Sequence, residues 1–342
     1  MNLIRLLRVR LALSVCLLLA SIAGATPARA EVDVVRIPLG AGGFGFLPLY
    51  VMQARELIEK HAHEAGFDRF KADWIKVGGP TAVNDALLSG SVDFIAAGPP
   101  GLLTLWSRTT TTMKVKGVAA MTAMPTYLTT RLERLKTLDD FQPGDKIAVT
   151  APRVSIVAIC MQMYARQKYG PSETYRFEAN TLPMSHPDAT IAMLSGSNTI
   201  AADWSSPPFY QREMKNPAIH TITDTDKLLG GSATFTMLST TSKFREDNPK
   251  AYAAVLAALK EAVELIQTDK AAAAKIFLDR EPGGFRQDEI VEVLSDPAMN
   301  FGTTPQAIMK YADFMSGAGL IKIHPGSWKD VFFPEIQDAP GN

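Results

Sequence analysis

The sequence predicts an α/β protein of two similarly built lobes followed by a helical C-terminal part. Three observations carry that expectation. Short β-rich runs alternate with helical patterns from Val32 to about Phe244, the order expected of sheets covered by helices. After Phe244 only helical periodicity remains. One unit also occurs twice, at Val77 to Gly101 and at Leu182 to Pro208: a helix ending in Leu-Ser-Gly-Ser, a strand, then a proline-containing turn.

Residues 1–30 stand apart from this pattern. Arg5, Arg8 and Arg10 give a basic start, "LALSVCLLLASIAGA" an apolar core, and Ala28-Arg29-Ala30 a small-residue site, the three parts of a secretory signal peptide cleaved after Ala30. The uninterrupted apolar part is shorter than the roughly 20 residues of a membrane span, which argues against a retained anchor. A lipid-attached Cys16 is disfavoured by the bulky Val15 before it and by an apolar core that runs past it.

The expected strands are "VDVVRIPL", "KADWIKVG", "VDFIAAG", "MKVKGVAAM", "KIAVTA", "TYRFEANTL", "TIAADW", "AIHTITD" and "ATFTMLSTTSKF". Between them the 3.6-residue period predicts helices at "LPLYVMQARELIEKHAHEAG", "TAVNDALLSG", "PGLLTLWSR", "VSIVAICMQMYARQKYG" and "DATIAMLSG". In the repeated unit, Gly90 and Gly196 suit the left-handed position that stops a helix. The C-terminal helices are expected at "NPKAYAAVLAALKEAVELIQ", "KAAAAKIFLD", "QDEIVEVLSD" and "PQAIMKYADFMSG".

A composition of 46% hydrophobic and 20% charged residues is that of an ordinary globular protein. Loss of the four arginines before residue 31 takes the 35 basic residues to 31 against 35 acidic ones, a net charge of −4, so no basic face for nucleic acid is expected. Cys160 is then the one cysteine left, so stability rests on a hydrophobic core rather than a disulfide.

Gly40-Ala41-Gly42-Gly43-Phe44-Gly45 has the G-x-G-x-x-G spacing of a dinucleotide loop. Phe46-Leu47-Pro48 intervene before the helix, however, and the second strand ends in Val77-Gly78 rather than an acid, so no nicotinamide or other cofactor is expected. The glycines instead suit close backbone approach to a ligand, with Phe44 and Phe46 as an apolar wall. His61 and His63 sit two apart on a helix and point to different faces, which speaks against a metal. Neither a G-x-S-x-G elbow nor an H-E-x-x-H pair is present, and no catalytic set assembles.

Helix starts carry more information. "VGGPTAVND" sets Gly78, Gly79 and Pro80 before a helix, with Thr81 able to turn its hydroxyl to the open amides; "APRVSIVA" sets Arg153 and Ser155 at the start of another. Such termini suit an anion, though ordinary capping accounts for each one alone.

These residues resemble the periplasmic solute-binding proteins of ABC importers, in the group that takes up nitrate, taurine, aliphatic sulfonates, thiamine-type pyrimidines and some aromatic acids. The resemblance runs over "PLYVMQARELIEK", "VGGPTAVNDALLSGSVDFIAAGPPGLLTLW", "DKIAVTAPRVS", "AMLSGSNTIAADWSSPP" and "DNPKAYAAVLAALKEAVELI". It implies a type II periplasmic-binding-protein fold: lobe one from residues 32–122 plus 233–342, lobe two from 123–232, and hinges near "AAMTAMPTY" and "GGSATFTML". It implies a monomer outside the cytoplasmic membrane that delivers a small-molecule solute to a membrane permease. By the same resemblance, ligand contacts are expected from Gly43, Phe44 and Phe46, from Gly79, Pro80 and Thr81, from Gly98 and Pro99 with Pro100, from Met124 and Pro125, from Arg153, Val154 and Ser155, and from Asp203 and Trp204.

Two departures shape the expected solute. Pro152-Arg153-Val154-Ser155 replaces the Gly-Ser-type turn usual with small sulfonates, and Phe44, Phe46 and Trp204 are more apolar than nitrate requires. An organic anion with an apolar or aromatic body is therefore expected, its acid group paired with Arg153. An enzyme of thiamine-pyrimidine synthesis shares this fold, but the export signal and the absence of a cysteine-rich motif oppose that reading. A ligand-sensing domain remains the other alternative.

Overall fold

Strand β1 (Val34–Pro38) turns Val35 and Ile37 inward and pairs in parallel with β2 (Lys71–Ile75). The structure is a computed structural model; it describes residues 31–342 apart from Ala41, Gly78, Gly79 and Pro282, and not the side chains of Pro80 and Thr81. The expected signal peptide, its cleavage point and Cys16 lie outside the described residues, as does Gly79.

The chain forms two sheets beyond the β1–β2 pair. One runs β11 (Asn300–Phe301), β4 (Val115–Ala123), β10 (Thr234–Thr241), β3 (Phe94–Ala97), with β10 antiparallel to both β3 and β4. The other runs β7 (Thr181–Pro183), β6 (Ile147–Val149), β8 (Ala202–Ser205), β5 (Tyr127–Thr130), β9 (His220–Asp224). Each is the floor of one lobe of a two-lobe periplasmic-binding-protein fold. Helices α1 (Leu47–Ala54), α2 (Leu57–Glu64), α3 (Pro80–Leu88) and α4 (Pro99–Thr109) cover the first lobe; α5 (Ile156–Tyr169), α6 (His186–Ser195) and α7 (Phe209–Glu213) cover the second. After β9 come α8 (Thr225–Leu229) and, past β10, α9 (Ser242–Asp247), α10 (Pro249–Thr268), α11 (Lys270–Arg280), α12 (Gln287–Leu294) and α13 (Ile308–Gly317).

The first lobe holds the larger core. Helix α10 contributes Val255, Leu259 and Ala262 at helical spacing, packed with β1, β4 and the edge-to-face rings Phe94 and Phe244 at 5.0 Å. In the second lobe, Leu128, Ile147, Val157, Met161 and Trp204 form a separate cluster.

Three expected elements differ. The first helical pattern breaks into α1 and α2 because Glu56 adopts φ 49°, a left-handed conformation that ends regular hydrogen bonding. "TYRFEANTL" is strand only over β7; the Asn180 amide donates to the carbonyls of Gln142 and Asp145 at 2.7 and 2.9 Å, and the preceding residues turn in 3₁₀ form. The C-terminal part is not wholly helical, since β11 returns to pair with β4 at Ala123 and Thr122.

A clasp joins β1 to the start of β3. Asp93 accepts from the Arg36 backbone N–H at 2.8 Å and from its guanidinium at 3.0 and 2.7 Å. Asp93→Ala therefore leaves polar groups on Arg36 without their acceptor, and we expect a loss of about 2 kcal/mol, read as a lower urea midpoint at unchanged slope.

Candidate functional site

The chain crosses between the lobes twice, from β4 to β5 through Met124, Pro125 and Thr126, and from β9 to β10 through α8. A cleft lies at the seam they leave. It encloses ≈ 800 Å³ of atom-free space, its open mouth included, of which ≈ 100 Å³ admits the centre of a water molecule. That is room for several waters, or for a small organic molecule.

The first lobe supplies Phe46, Asn84 of α3, Gly98, Pro100 and Phe235. The second supplies Thr150, the stretch Val154, Ser155, Ile156 and Val157 at the start of α5, and His186 at the start of α6. Thr126 joins them from the crossing and Thr236 from β10.

Gly98 is the point of closest approach. A Cβ there would lie 2.7 Å from Ile156 Cδ1, so the side chain of one lobe sits against the bare backbone of the other. Ser155 caps α5, its hydroxyl accepting from the Ala158 N–H at 3.4 Å. The amides of Ile156 and Val157, in the first turn, have no intrahelical partner. Thr236 is committed to the frame, donating to the Gly45 carbonyl at 2.5 Å and meeting Thr122 at 2.7 Å. Thr126, 1% exposed, has a hydroxyl with no partner in the protein, and the same holds for Asn84 Oδ1. Burial pushes the His186 imidazole down to about 4, so it faces the cleft neutral near pH 7.

The sequence-expected residues divide. Phe46, Gly98, Val154 and Ser155 come together on the wall, with Pro100. Gly43 and Phe44 do not reach it: Phe44 is wholly buried edge-on to Phe277 at 5.0 Å, and the Gly43 N–H donates to Glu281 at 2.9 Å. Their loop instead docks on the other lobe, the Phe44 N–H donating to the Pro207 carbonyl at 3.1 Å. Pro99 and Pro125 are buried outside the described lining, and Met124 packs in the first-lobe core. The side chains of Pro80 and Thr81 are among those not described.

Arg153 and the Asp203-Trp204 pair are placed elsewhere. The Arg153 guanidinium is exposed and binds Glu178, Nε to Oε1 2.7 Å, which raises its pKa and leaves it on the outer side of the α5 start. Trp204 is 1% exposed among Leu128, Val157 and Met161, its Nε1 donating to the Met161 sulfur at 3.4 Å. Alternation along β8 sends Asp203 and Ser205 to the opposite face. There Glu213, fully buried, accepts from Thr129 at 2.7 Å, Ser205 at 3.0 Å and Thr190 at 3.1 Å.

Sequence reasoning missed His186, Thr126, Asn84 and Phe235. A signal for His186 exists: it stands as far before its Leu-Ser-Gly-Ser as Pro80 does before the first.

Asp203 and Glu213 are both buried carboxyl groups on the same face of the sheet. Burial raises both carboxyl groups above their ordinary values; the Glu213 charge raises Asp203 further, while the hydroxyls around Glu213 pull its own value back down. A carboxyl raised in the folded state makes the native protein the better proton binder, so stability falls as pH climbs from the unfolded carboxylate range through the raised value. We expect the melting temperature to decline as pH rises above the ordinary carboxylate range, and Asp203→Asn to flatten that decline.

No family model and no curated relative matches the chain. Solved structures do. The chain is similar to the alkanesulfonate-binding protein SsuA from Xanthomonas axonopodis pv. citri bound to MOPS, at TM-score 0.65 and 19% identity over 89% of this chain and 99% of that one. It is similar to the periplasmic aliphatic sulphonate binding protein SsuA from Escherichia coli, at TM-score 0.61 and 16% identity over 89% and 92%. The periplasmic nitrate-binding protein NrtA from Synechocystis PCC 6803 follows at TM-score 0.56 and 14% identity over 77% and 70%. The chain therefore has the fold that these periplasmic solute-binding proteins share.

Proposed function

We propose that the protein is an extracytoplasmic solute-binding component of an ABC importer, which holds a small organic molecule between its lobes and hands it to a membrane permease. The observation that carries this reading is the cleft at the lobe seam, walled by residues of both lobes and bordered by Thr126 of one chain crossing. We assign lobe one to residues 32–122 plus 233–342 and lobe two to 123–232, and take the working protein to be a monomer.

The apolar body of the solute rests on Phe46, Pro100, Val154, Ile156 and Phe235. The Arg153 clamp expected for an organic anion is engaged with Glu178, so the polar head falls to hydroxyls, His186 and the first amides of α5. Catalysis is no part of this reading. Cys160 is fully buried and burial pushes its thiol up to about 12, far from a reactive thiolate. Among the described residues no group of three His, Cys, Asp or Glu side chains is placed to hold a metal ion.

The purified protein, incubated with a small-molecule extract of the producing cells and then desalted, should release one solute in near-stoichiometric amount on denaturation. Release of none would sink the proposal. Gly98→Val, which forces Ile156 away across the seam, should lower retention about tenfold or more with an unchanged circular dichroism spectrum.

A further inference from the structure

Charge is missing from the cleft wall. Among the described residues that line it there is no Asp, Glu, Lys or Arg. The nearest cation expected there, Arg153, is held outside by Glu178.

Helix starts do not replace that charge evenly. Helix α4 begins Pro99-Pro100, two residues without an N–H, and the next amides, of Gly101 and Leu102, already donate to the Gly98 carbonyl at 3.0 and 3.3 Å. Helix α6 carries its own anion: Asp188 lies in its first turn, bonded to the capping Ser185 hydroxyl at 2.5 Å, where it answers the helix dipole. Of these three starts, α5 is the one that offers the cleft open amides with no acid in the first turn. One such end suits a neutral oxygen as well as an anionic one.

Of the two orphan groups, the Asn84 amide oxygen calls for a donor, and the Thr126 hydroxyl can serve either way. Thr126, 1% exposed, and Asn84 both line the cleft, and each carries a buried polar atom without a partner: the Thr126 hydroxyl, and Asn84 Oδ1, an acceptor that would repel a carboxylate or sulfonate oxygen. The neutral His186 adds no positive charge.

We infer that the cleft is built for an uncharged solute, one whose polar head joins an oxygen acceptor to an N–H donor, as a primary amide, a sulfonamide or a lactam-type ring does, on an apolar body. Its oxygen meets the α5 amides and its N–H meets Thr126 and Asn84. The inference rests on the solute-binding reading above and narrows it to a class unlike the sulfonates and nitrate named for its structural neighbours.

The test is a set of matched pairs that differ in charge and little in shape: benzamide against benzoate, nicotinamide against nicotinate, butanesulfonamide against butanesulfonate, each followed by thermal shift and calorimetry on the purified protein. The uncharged member should bind at least tenfold tighter in every pair that binds, and Thr126→Val should weaken it about tenfold. Tighter or equal binding of the charged member overturns the inference, as does an unchanged affinity in Thr126→Val. If no pair binds, the solute retained from the cell extract decides: an uncharged molecule with an N–H upholds the inference, an anion overturns it, and no solute removes the binding reading with it.

Discussion

The two chain crossings run side by side, and the rest of the structure depends on that pairing. Thr234 faces Ala123 across β10 and β4 on one side of the seam, and Tyr127 faces Asp224 across β5 and β9 on the other. Between them the Thr225 N–H donates to the Thr126 carbonyl at 2.9 Å, while the Thr126 N–H donates to the Thr225 hydroxyl at 3.0 Å. With its backbone held on both sides, Thr126 has one polar group left over. Its hydroxyl stays buried and unpartnered beside the cleft, on a residue whose backbone holds the lobes in register.

Once the crossings are set, polar groups have only a few places to go. Burying an unpaired charge is far more costly than burying a hydroxyl, so charges near the seam are paired or neutralised. Arg153 meets Glu178 outside the wall, burial raises the Asp203 and Glu213 carboxyls toward their neutral forms, and His186 stays neutral. Glu281 follows the same rule in the first lobe, accepting from the Tyr50 hydroxyl at 2.6 Å and from the Gly43 N–H. That bond shapes the glycine loop so that Phe44 reaches Pro207 of the other lobe. The glycines at positive φ, Gly42 and Gly43, thus serve an approach of backbone to backbone rather than to a phosphate.

How much of this was legible in the sequence follows from which signals are local. Alternation and helical period are local, and the order of strands and helices up to Phe244 is largely as they imply. The helix stops are local too: Gly90 and Gly196 have φ 72° and 79°, as the twin Leu-Ser-Gly-Ser units suggest. The direction of a side chain at a strand end is not. Asp203 and Trp204 are adjacent in sequence and so point to opposite faces of β8, and neither face is the cleft. Arg153 was readable as a helix-start residue, but its partner Glu178 is 25 residues on, in a stretch whose β-rich composition hides a 3₁₀ turn. β11 is two residues long, too short for any periodicity to register.

Sequence identity of 14–19% to proteins with which it shares most of its length also has a physical reading. What the fold requires is distributed: apolar faces on helices and strands, many of them interchangeable among Leu, Ile, Val and Met at small cost. What lines the cleft is confined to a few helix starts, strand ends and one crossing, where a proline in place of an N–H, or an acid in a first turn, changes the local field without touching the core. Pro99-Pro100 and Asp188 are features of that kind in this chain. A fold can therefore persist over nearly a whole chain while the chemistry of its cleft is rewritten at positions that neither strand order nor core packing records.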